Sequence, residues 1–336
     1  MKTYKNIIKG GLLVAFLTMS WLGAEAQTLK QTGNFSLFQQ YFNPGLTGYE
    51  GSMGKLFYRN QWGGFDGAPE TLFASIELDL ADFSRWKTEE TVVSTQEINY
   101  VAPGAKNAFG FLIYHDTNGP FTETQLHLSY GSRVQLTAKT QLRLGAAVTY
   151  NQHRLDGSQI RFLNDQDQVI DSYFGRFANQ NRLDFNAGLM LTSDNYYLGY
   201  ALQDLAQGKI NGGDNFLNED FAMQHILQGG YRRALTDQFG LVFNGIYRYD
   251  ERLGQNAEGQ IKGVFMNTAW LGAGYRWDLA YTMTVGFRLG QMRLGYSYEI
   301  PTGDAQQFGS NTSEFIMTMN LHKVKYPKYL KQVLMW

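Results

Sequence analysis

The chain contains no cysteine. That excludes disulfides, thiolate metal sites and cysteine nucleophiles, and it also excludes a lipidated cysteine as N-terminal anchor. Beyond the first 22 residues no apolar run approaches the ~18 residues of a membrane-spanning helix, so the chain cannot cross a bilayer as helices. Proline is scarce, with 6 in 336 residues, which leaves long strands uninterrupted. Histidine is nearly as scarce: His115, His127, His153, His225 and His322 show no metal-ligand spacing, and none has a second histidine within one helical turn. Neither sign of charge dominates. Lys+Arg number 29 against 30 Asp+Glu, which argues against a nucleic-acid partner or a polybasic membrane-surface role.

Two residue classes are abundant instead. Glycine reaches 37 residues, and Tyr, Phe and Trp together make 15% of the chain. The first 26 residues read as a secretory signal. Lys2, Lys5 and Lys9 precede an apolar run from Gly11 to Leu17, extended by Met19, Trp21 and Leu22, and Ala24-Glu25-Ala26 supplies a small-x-small cleavage pattern. The mature chain is expected to start at Gln27, leaving 336 − 26 = 310 residues, enough for one large domain.

The recurring pattern in those residues is alternation at period two. Leu142, Leu144, Ala146, Val148 and Tyr150 alternate with Gln141, Arg143, Gly145, Thr149 and Asn151. Met292, Leu294, Tyr296, Tyr298 and Ile300 do the same against Gln291, Arg293, Gly295, Ser297 and Glu299. So do Leu183, Phe185, Ala187, Leu189 and Leu191 against Arg182, Asp184, Asn186 and Gly188. One face is apolar and rich in aromatics; the other carries charge and glycine. Such segments reach the ~9–11 residues needed by a transmembrane strand, longer than the strands of a soluble sandwich. A mean hydropathy of −0.33 fits, because a barrel averages lipid-facing and lumen-facing residues.

The expected fold is an all-β transmembrane antiparallel β-barrel. Its strands are predicted at 53–62, 69–80, 106–116, 121–136, 139–154, 182–192, 194–204, 221–234, 238–251, 260–266, 268–277, 280–289, 291–300 and 312–322. That makes about fourteen, an even number as bacterial single-chain barrels have. The chain is expected to divide into signal peptide 1–26, N-terminal periplasmic segment 27–52, barrel 53–322 and a basic C-terminal tail 323–336, read as solvated in the periplasm. Thr137-Ala138-Lys139 and Leu289-Gly290-Gln291 read as periplasmic turns, and 81–105, 155–181 and 205–220 as extracellular loops, with Asn211-Gly212-Gly213-Asp214-Asn215 a loop signal.

Sites of chemistry are few. Ser129 and His127 share one strand face, but a hydrolase also needs oxyanion donors and an orienting third group, and packing of the two in a strand is the simpler reading. Gly272-x-Gly274 lacks the third glycine and the helix of a dinucleotide fingerprint. Arg59, Glu77, Asp79, Arg143, Arg182, Asp184, Arg276, Arg288, Arg293 and Glu299 all fall on the polar phase. A charge on the lipid face costs roughly 2–4 kcal/mol at the midplane, so these must line the lumen. Mixed signs suit a structural network across the lumen better than a selective pore, whose ring is dominated by one sign.

Several motifs carry a family likeness. Tyr41-Phe42-Asn43-Pro44-Gly45-Leu46-Thr47-Gly48 is followed by Tyr58-Arg59-Asn60-Gln61-Trp62 and Gly67-Ala68-Pro69-Glu70-Thr71. Leu271-Gly272-Ala273-Gly274-Tyr275-Arg276 and Leu294-Gly295-Tyr296-Ser297-Tyr298-Glu299-Ile300 come later. In order and spacing these resemble the PorP/SprF family of type IX secretion outer-membrane proteins of Bacteroidetes, across about 38–320. That family shows an Asn-Pro-Ala-x-x-Gly element, an Arg-x-Gln-Trp strand and a Gly-Tyr-Ser-Tyr-Asp strand. Here Gly45 stands for the usual alanine, Glu299 for aspartate, and Ser313-Glu314 for a His-Glu pair. Asn43-Pro44-Gly45 is a turn former ahead of the first strand; Arg59 and Gln61 share its polar phase, while Tyr58 and Trp62 are expected to face lipid.

The resemblance implies a non-enzymatic outer-membrane component without cofactor. It would bind a secreted surface protein bearing a type IX C-terminal signal, such as an adhesin of gliding motility, and help to export or anchor it. Periplasmic secretion-ring subunits are a second implied partner, and outer-membrane lipid surrounds the barrel. The candidate family-motif or partner-binding residues are Asn43, Pro44, Gly48, Arg59, Gln61, Trp62, Pro69, Tyr275, Arg276, Gly295, Tyr296, Ser297, Tyr298 and Glu299. The residues themselves leave a diffusion porin or uptake channel open as the alternative.

Overall fold

A computed structural model describes residues 32–64, 67–82, 92–93, 107–159, 177–214, 221–252, 254–303, 306, 311–322, 324–325, 333 and 335. The expected signal peptide lies outside the described residues. The described strands are β1 (Met53–Asn60), β2 (Glu70–Asp79), β3 (Val92–Val93), β4 (Asn107–Asn118), β5 (Phe121–Gln135), β6 (Thr140–Asp156), β7 (Phe177–Ser193), β8 (Tyr196–Gln203) and β9 (Ile210–Gly213). They continue as β10 (Gln224–Ala234), β11 (Phe239–Asp250), β12 (Gly254–Phe265), β13 (Ala269–Arg276), β14 (Ala280–Leu289), β15 (Met292–Pro301), β16 (Thr312–Asn320) and β17 (Val324–Lys325).

Fourteen of these, all but β3, β9 and β17, form one closed antiparallel barrel. Chain neighbours pair around the ring, β6 pairs with β7, and β1 meets β16 from Met53↔Asn320 to Asn60↔Ser313. Closure leaves no strand edge unpaired in lipid, as a bilayer requires. The strand expectations hold to within a few residues, with β12 beginning earlier than predicted at Gly254 and β7 at Phe177. The break after Phe265 is a tight turn in which Met266 and Asn267 both take positive φ, 49° and 50°, the pattern of a hairpin turn.

The outward faces expose Leu128 (61%), Leu271 (68%) and Phe315 (56%), as a lipid-facing surface should. All ten predicted lumen charges are buried. Met53 and Asn320 lie at one end, with the short connections 136–139, 194–195, 235–238, 266–268 and 290–291, so this end faces the periplasm.

That orientation corrects one expectation. The segment 81–105 is expected outside with 155–181 and 205–220, yet β2 runs toward the periplasmic end, so the chain beyond Asp79 emerges there. Val92–Val93 pairs in parallel with Val324–Lys325, just past the last barrel strand. A second correction concerns 211–213. The sequence marks these residues as loop; they form β9, which pairs with Leu183–Gln180 on the extended outer half of β7.

Both ends of the described chain enter the lumen. Residues 32–52 are expected as a periplasmic segment; they run inside the barrel. They make a 3-10 turn at Phe35–Leu37, a helical turn at Gln39–Phe42 and a second 3-10 turn at Pro44–Leu46. The physical reason is an apolar patch on the inner wall. Phe57, Phe73, Leu112, Tyr114, Ile226, Ile246 and Ile316 point inward and would face water in an empty barrel. Phe35, Leu37, Phe38, Tyr41 and Phe42 cover them. Phe38 meets Phe57 and Phe73 edge-on at 5.3 and 4.7 Å, and Tyr41 stacks on Tyr114 at 6.0 Å. Each such buried side chain contributes about 1.5–3 kcal/mol. The C-terminal tail is corrected likewise. Val333 and Met335 are buried with Leu46, Met190, Tyr197 and Trp270, so these two residues pack into the barrel and are not solvated.

Candidate functional site

The lumen segment and the inner wall were built for each other at two places. The first is the Asn43-Pro44-Gly45 turn. Pro44 opens the 3-10 turn and the Asn43 side chain accepts a hydrogen bond from the Gly45 N–H at 2.9 Å. Asn43 also donates through Nδ2 to the Leu189 carbonyl at 3.3 Å. The turn lies against a row of glycines in register on three adjacent strands, Gly131↔Gly145↔Gly188. A Cβ on Gly145 would collide with the Pro44 carbonyl, and one on Gly188 with the Asn43 side chain; at Gly131 it would meet the Thr47 carbonyl at 2.9 Å. Arg143 then donates to the carbonyls of Gly45 and Thr47, both at 3.1 Å. Gly48 takes φ +67° and donates its N–H to Glu77 at 2.7 Å.

The second place is a buried charge cluster toward the extracellular end. Arg59 Nη1 donates to Glu299 Oε1 at 2.8 Å and also to Glu314. Arg276 bridges Glu299 at 3.2 Å and Glu258 at 2.9 Å, with Arg248 Nη2 4.0 Å from Glu258. Three guanidinium groups thus face three carboxylates. Burying such charges is tolerated when each is paired with an opposite charge, as these are. The lumen segment finishes the cluster. Gly33 N–H donates to Glu314 at 2.9 Å, Asn34 Nδ2 donates to Ser297 and to Glu314, and Thr284 donates to Asn34 Oδ1 at 3.1 Å.

Between the two places, Gln260 donates to the Gly33 carbonyl at 3.0 Å and Lys262 to Ser36 at 2.7 Å, while Gln203 donates to the Tyr41 carbonyl at 2.7 Å. At the periplasmic end Glu50 receives Arg293 at 3.0 and 3.1 Å, and Ser52 N–H donates to Asp82 at 2.8 Å.

The predicted site residues therefore divide into three sets. Asn43, Pro44, Gly48, Arg59, Arg276, Gly295, Ser297 and Glu299 belong to the lumen; Trp270 lies over Gly295, 3.2 Å from where its Cβ would stand. Tyr275, Tyr296 and Tyr298 sit on the opposite, outward phase. Tyr275 packs with Tyr281 at 4.9 Å near the extracellular ends of β13 and β14, and Tyr296 with Phe315 at 5.0 Å midway along β15 and β16. Gln61, Trp62 and Pro69 lie just beyond the extracellular ends of β1 and β2, where the Gln61 N–H donates to the Pro69 carbonyl at 2.9 Å. Trp62 does not continue the lipid face of β1, because the strand stops at Asn60 and Trp62 turns to φ 55°.

Sequence reasoning missed Arg248, Glu258 and the 32–36 segment. A signal was present: Phe57 and Phe73 interrupt the polar phase of β1 and β2, and an apolar residue aimed into a lumen needs a cover. Ser129 and His127 do share the inner face, but Ser129 accepts a bond from Thr47 at 2.9 Å and serves the lumen segment. Among the described residues no group of acidic, histidine or cysteine side chains could hold a metal ion. The arrangement clamps a peptide within a barrel; among the described residues it contains no assembled nucleophile and base.

Comparison with known sequences decides what this architecture belongs to. The family described as "Type IX secretion system membrane protein PorP/SprF" matches residues 24–319. The chain belongs to the PorP/SprF family. It is thus a non-enzymatic outer-membrane component of type IX secretion. No curated protein matches the chain. Among solved structures it is similar to the Pseudomonas putida toluene transporter TodX, at 12% identity and TM-score 0.44, covering 87% of this chain and 93% of that one. A Pseudomonas aeruginosa FadL homologue gives 8% identity and TM-score 0.41, covering 81% and 90%. The Acinetobacter baumannii outer membrane protein Omp33 gives 8% and 0.40, covering 80% and 96%.

Proposed function

We propose that this PorP/SprF member works through its two ends, as a binding partner for a secreted surface protein and not as a conduit. At the extracellular end it would meet a protein bearing a type IX C-terminal signal, an adhesin for instance, and help to export it or hold it at the surface. Secretion-ring subunits would be met at the periplasmic end. The observation that carries this reading is the occupied lumen. Residues 32–52 fill it with apolar packing at the centre and hydrogen bonds along its length. A diffusion porin needs a water-filled path where those side chains stand. The motif residues in the lumen then hold the scaffold, and partner contact falls to the rim around Gln61, Trp62 and Pro69.

The test is affinity purification of the tagged protein from native outer membranes in mild detergent, followed by mass spectrometry. Stoichiometric recovery of a secreted surface protein or of secretion-ring subunits is expected. Recovery of the barrel alone from cells actively exporting such proteins would refute partner binding.

A further inference from the structure

The lumen segment has a direction. Ser52, next to the first residue of β1, is bonded to Asp82 and packs beside Asp79, the last residue of β2, at the periplasmic end. Gly48 lies against Ala108, at the start of β4. Asn43 and Pro44 lie on Gly188 and Gly145, each the sixth residue from the periplasmic end of its strand, β7 or β6. Gly33 reaches the extracellular end, where a Cβ would meet Thr282 at 2.7 Å and Glu299 at 2.8 Å. Thr282 and Glu314 each stand two residues from the extracellular ends of their strands, Ala280 and Thr312. At ~3.4 Å per residue this is about 7 Å from the ends of those strands. The segment therefore crosses the barrel from one end to the other. Thr32, the outermost described residue, is only half-buried and reaches Glu314 with its hydroxyl at 3.4 Å.

We infer that the lumen segment enters the barrel from the cell-surface mouth, presenting Thr32 to the outside. An ordinary single-chain barrel keeps both termini in the periplasm. Here β16 ends at the periplasmic side, while Thr32 stands at the extracellular end of the wall beside Glu314. The clamp at this end is the Arg59, Glu299 and Glu314 cluster together with Ser297 and Thr284, which fixes Gly33 and Asn34 from the wall.

The absence of cysteine makes the test direct, because any thiol introduced is the sole one in the chain. Thr32→Cys is expressed in the native host and intact cells are treated with a small, charged, membrane-impermeant maleimide. Lys209→Cys, exposed after β8 on the extracellular side, and Lys139→Cys, exposed in the β5–β6 turn, are the surface and periplasmic controls. Thr32→Cys is expected to react on intact cells as Lys209→Cys does, while Lys139→Cys waits for permeabilisation. Reaction only after permeabilisation, or only after unfolding, would overturn the inference. A second chain carries a short epitope between Gln31 and Thr32, and antibody binding to intact cells is expected. Heat-modifiable gel mobility confirms that each barrel has folded. A folded epitope chain that antibody detects only in broken cells would equally overturn it.

Discussion

Replacing Arg59 by methionine tests the buried cluster most sharply. Among the described residues the wild-type balance is three arginines, Arg59, Arg248 and Arg276, against three glutamates, Glu258, Glu299 and Glu314, or 3 − 3 = 0. Arg59→Met leaves 2 − 3 = −1, with Glu299 losing its 2.8 Å partner and Glu314 losing its guanidinium altogether. Both carboxylates are nearly inaccessible, with side chains 4% and 0% exposed. Breaking one side of a buried pair costs about 3–5 kcal/mol, because the remaining charge is left desolvated. Adding Glu314→Gln returns the sum to 2 − 2 = 0, so the double variant should recover part of that loss through a coupling of roughly 0.5–3 kcal/mol. The assay is urea unfolding of the protein reconstituted in lipid vesicles, followed by tryptophan fluorescence and by gel mobility without heating. A loss below about 1 kcal/mol for Arg59→Met, or strictly additive losses in the double variant, would refute the reasoning.

Further substitutions address other parts of the account. Gly145→Val should expel the Asn43-Pro44-Gly45 turn and lower the folded fraction on unheated gels, whereas Gly259→Ala, whose Cβ would meet nothing within 4 Å, should stay within ~0.5 kcal/mol of the parent. Phe38→Ala removes the ring between Phe57 and Phe73 and should cost about 3–5 kcal/mol in the same urea titration. Leu128→Arg, on the lipid face midway along β5, should cost roughly 2–4 kcal/mol in vesicles; equal stability would mean that this face does not meet the hydrocarbon core.

The barrel is legible in the sequence because period two survives averaging: a strand in lipid keeps every second side chain apolar, whatever else it does. The ten lumen charges come from the same phase. The contents of the barrel are less legible. Residues 32–52 carry no sustained period, since the segment is a chain of short turns whose form is set by the wall it touches. Gly145 and Gly188 read as ordinary strand glycines until the turn that fills their missing side chains is seen. The direction of 80–106 depends on counting strands from the periplasmic terminus, and loop length points the wrong way. Trp62 is misplaced by the pattern because alternation continues past Asn60 in the sequence while the backbone has already turned. The motif residues Arg59, Arg276 and Glu299, distant in sequence, converge because β1, β13 and β15 run to the same end of a closed ring.

The central claim is that the barrel is filled and acts by holding partners at its ends. Its most direct test is planar-bilayer recording on the purified, folded protein inserted at single-molecule density. Insertion without stepwise conductance above the lipid baseline is expected. A steady, ohmic single-channel current from the intact chain would contradict it and return the barrel to the class of diffusion pores.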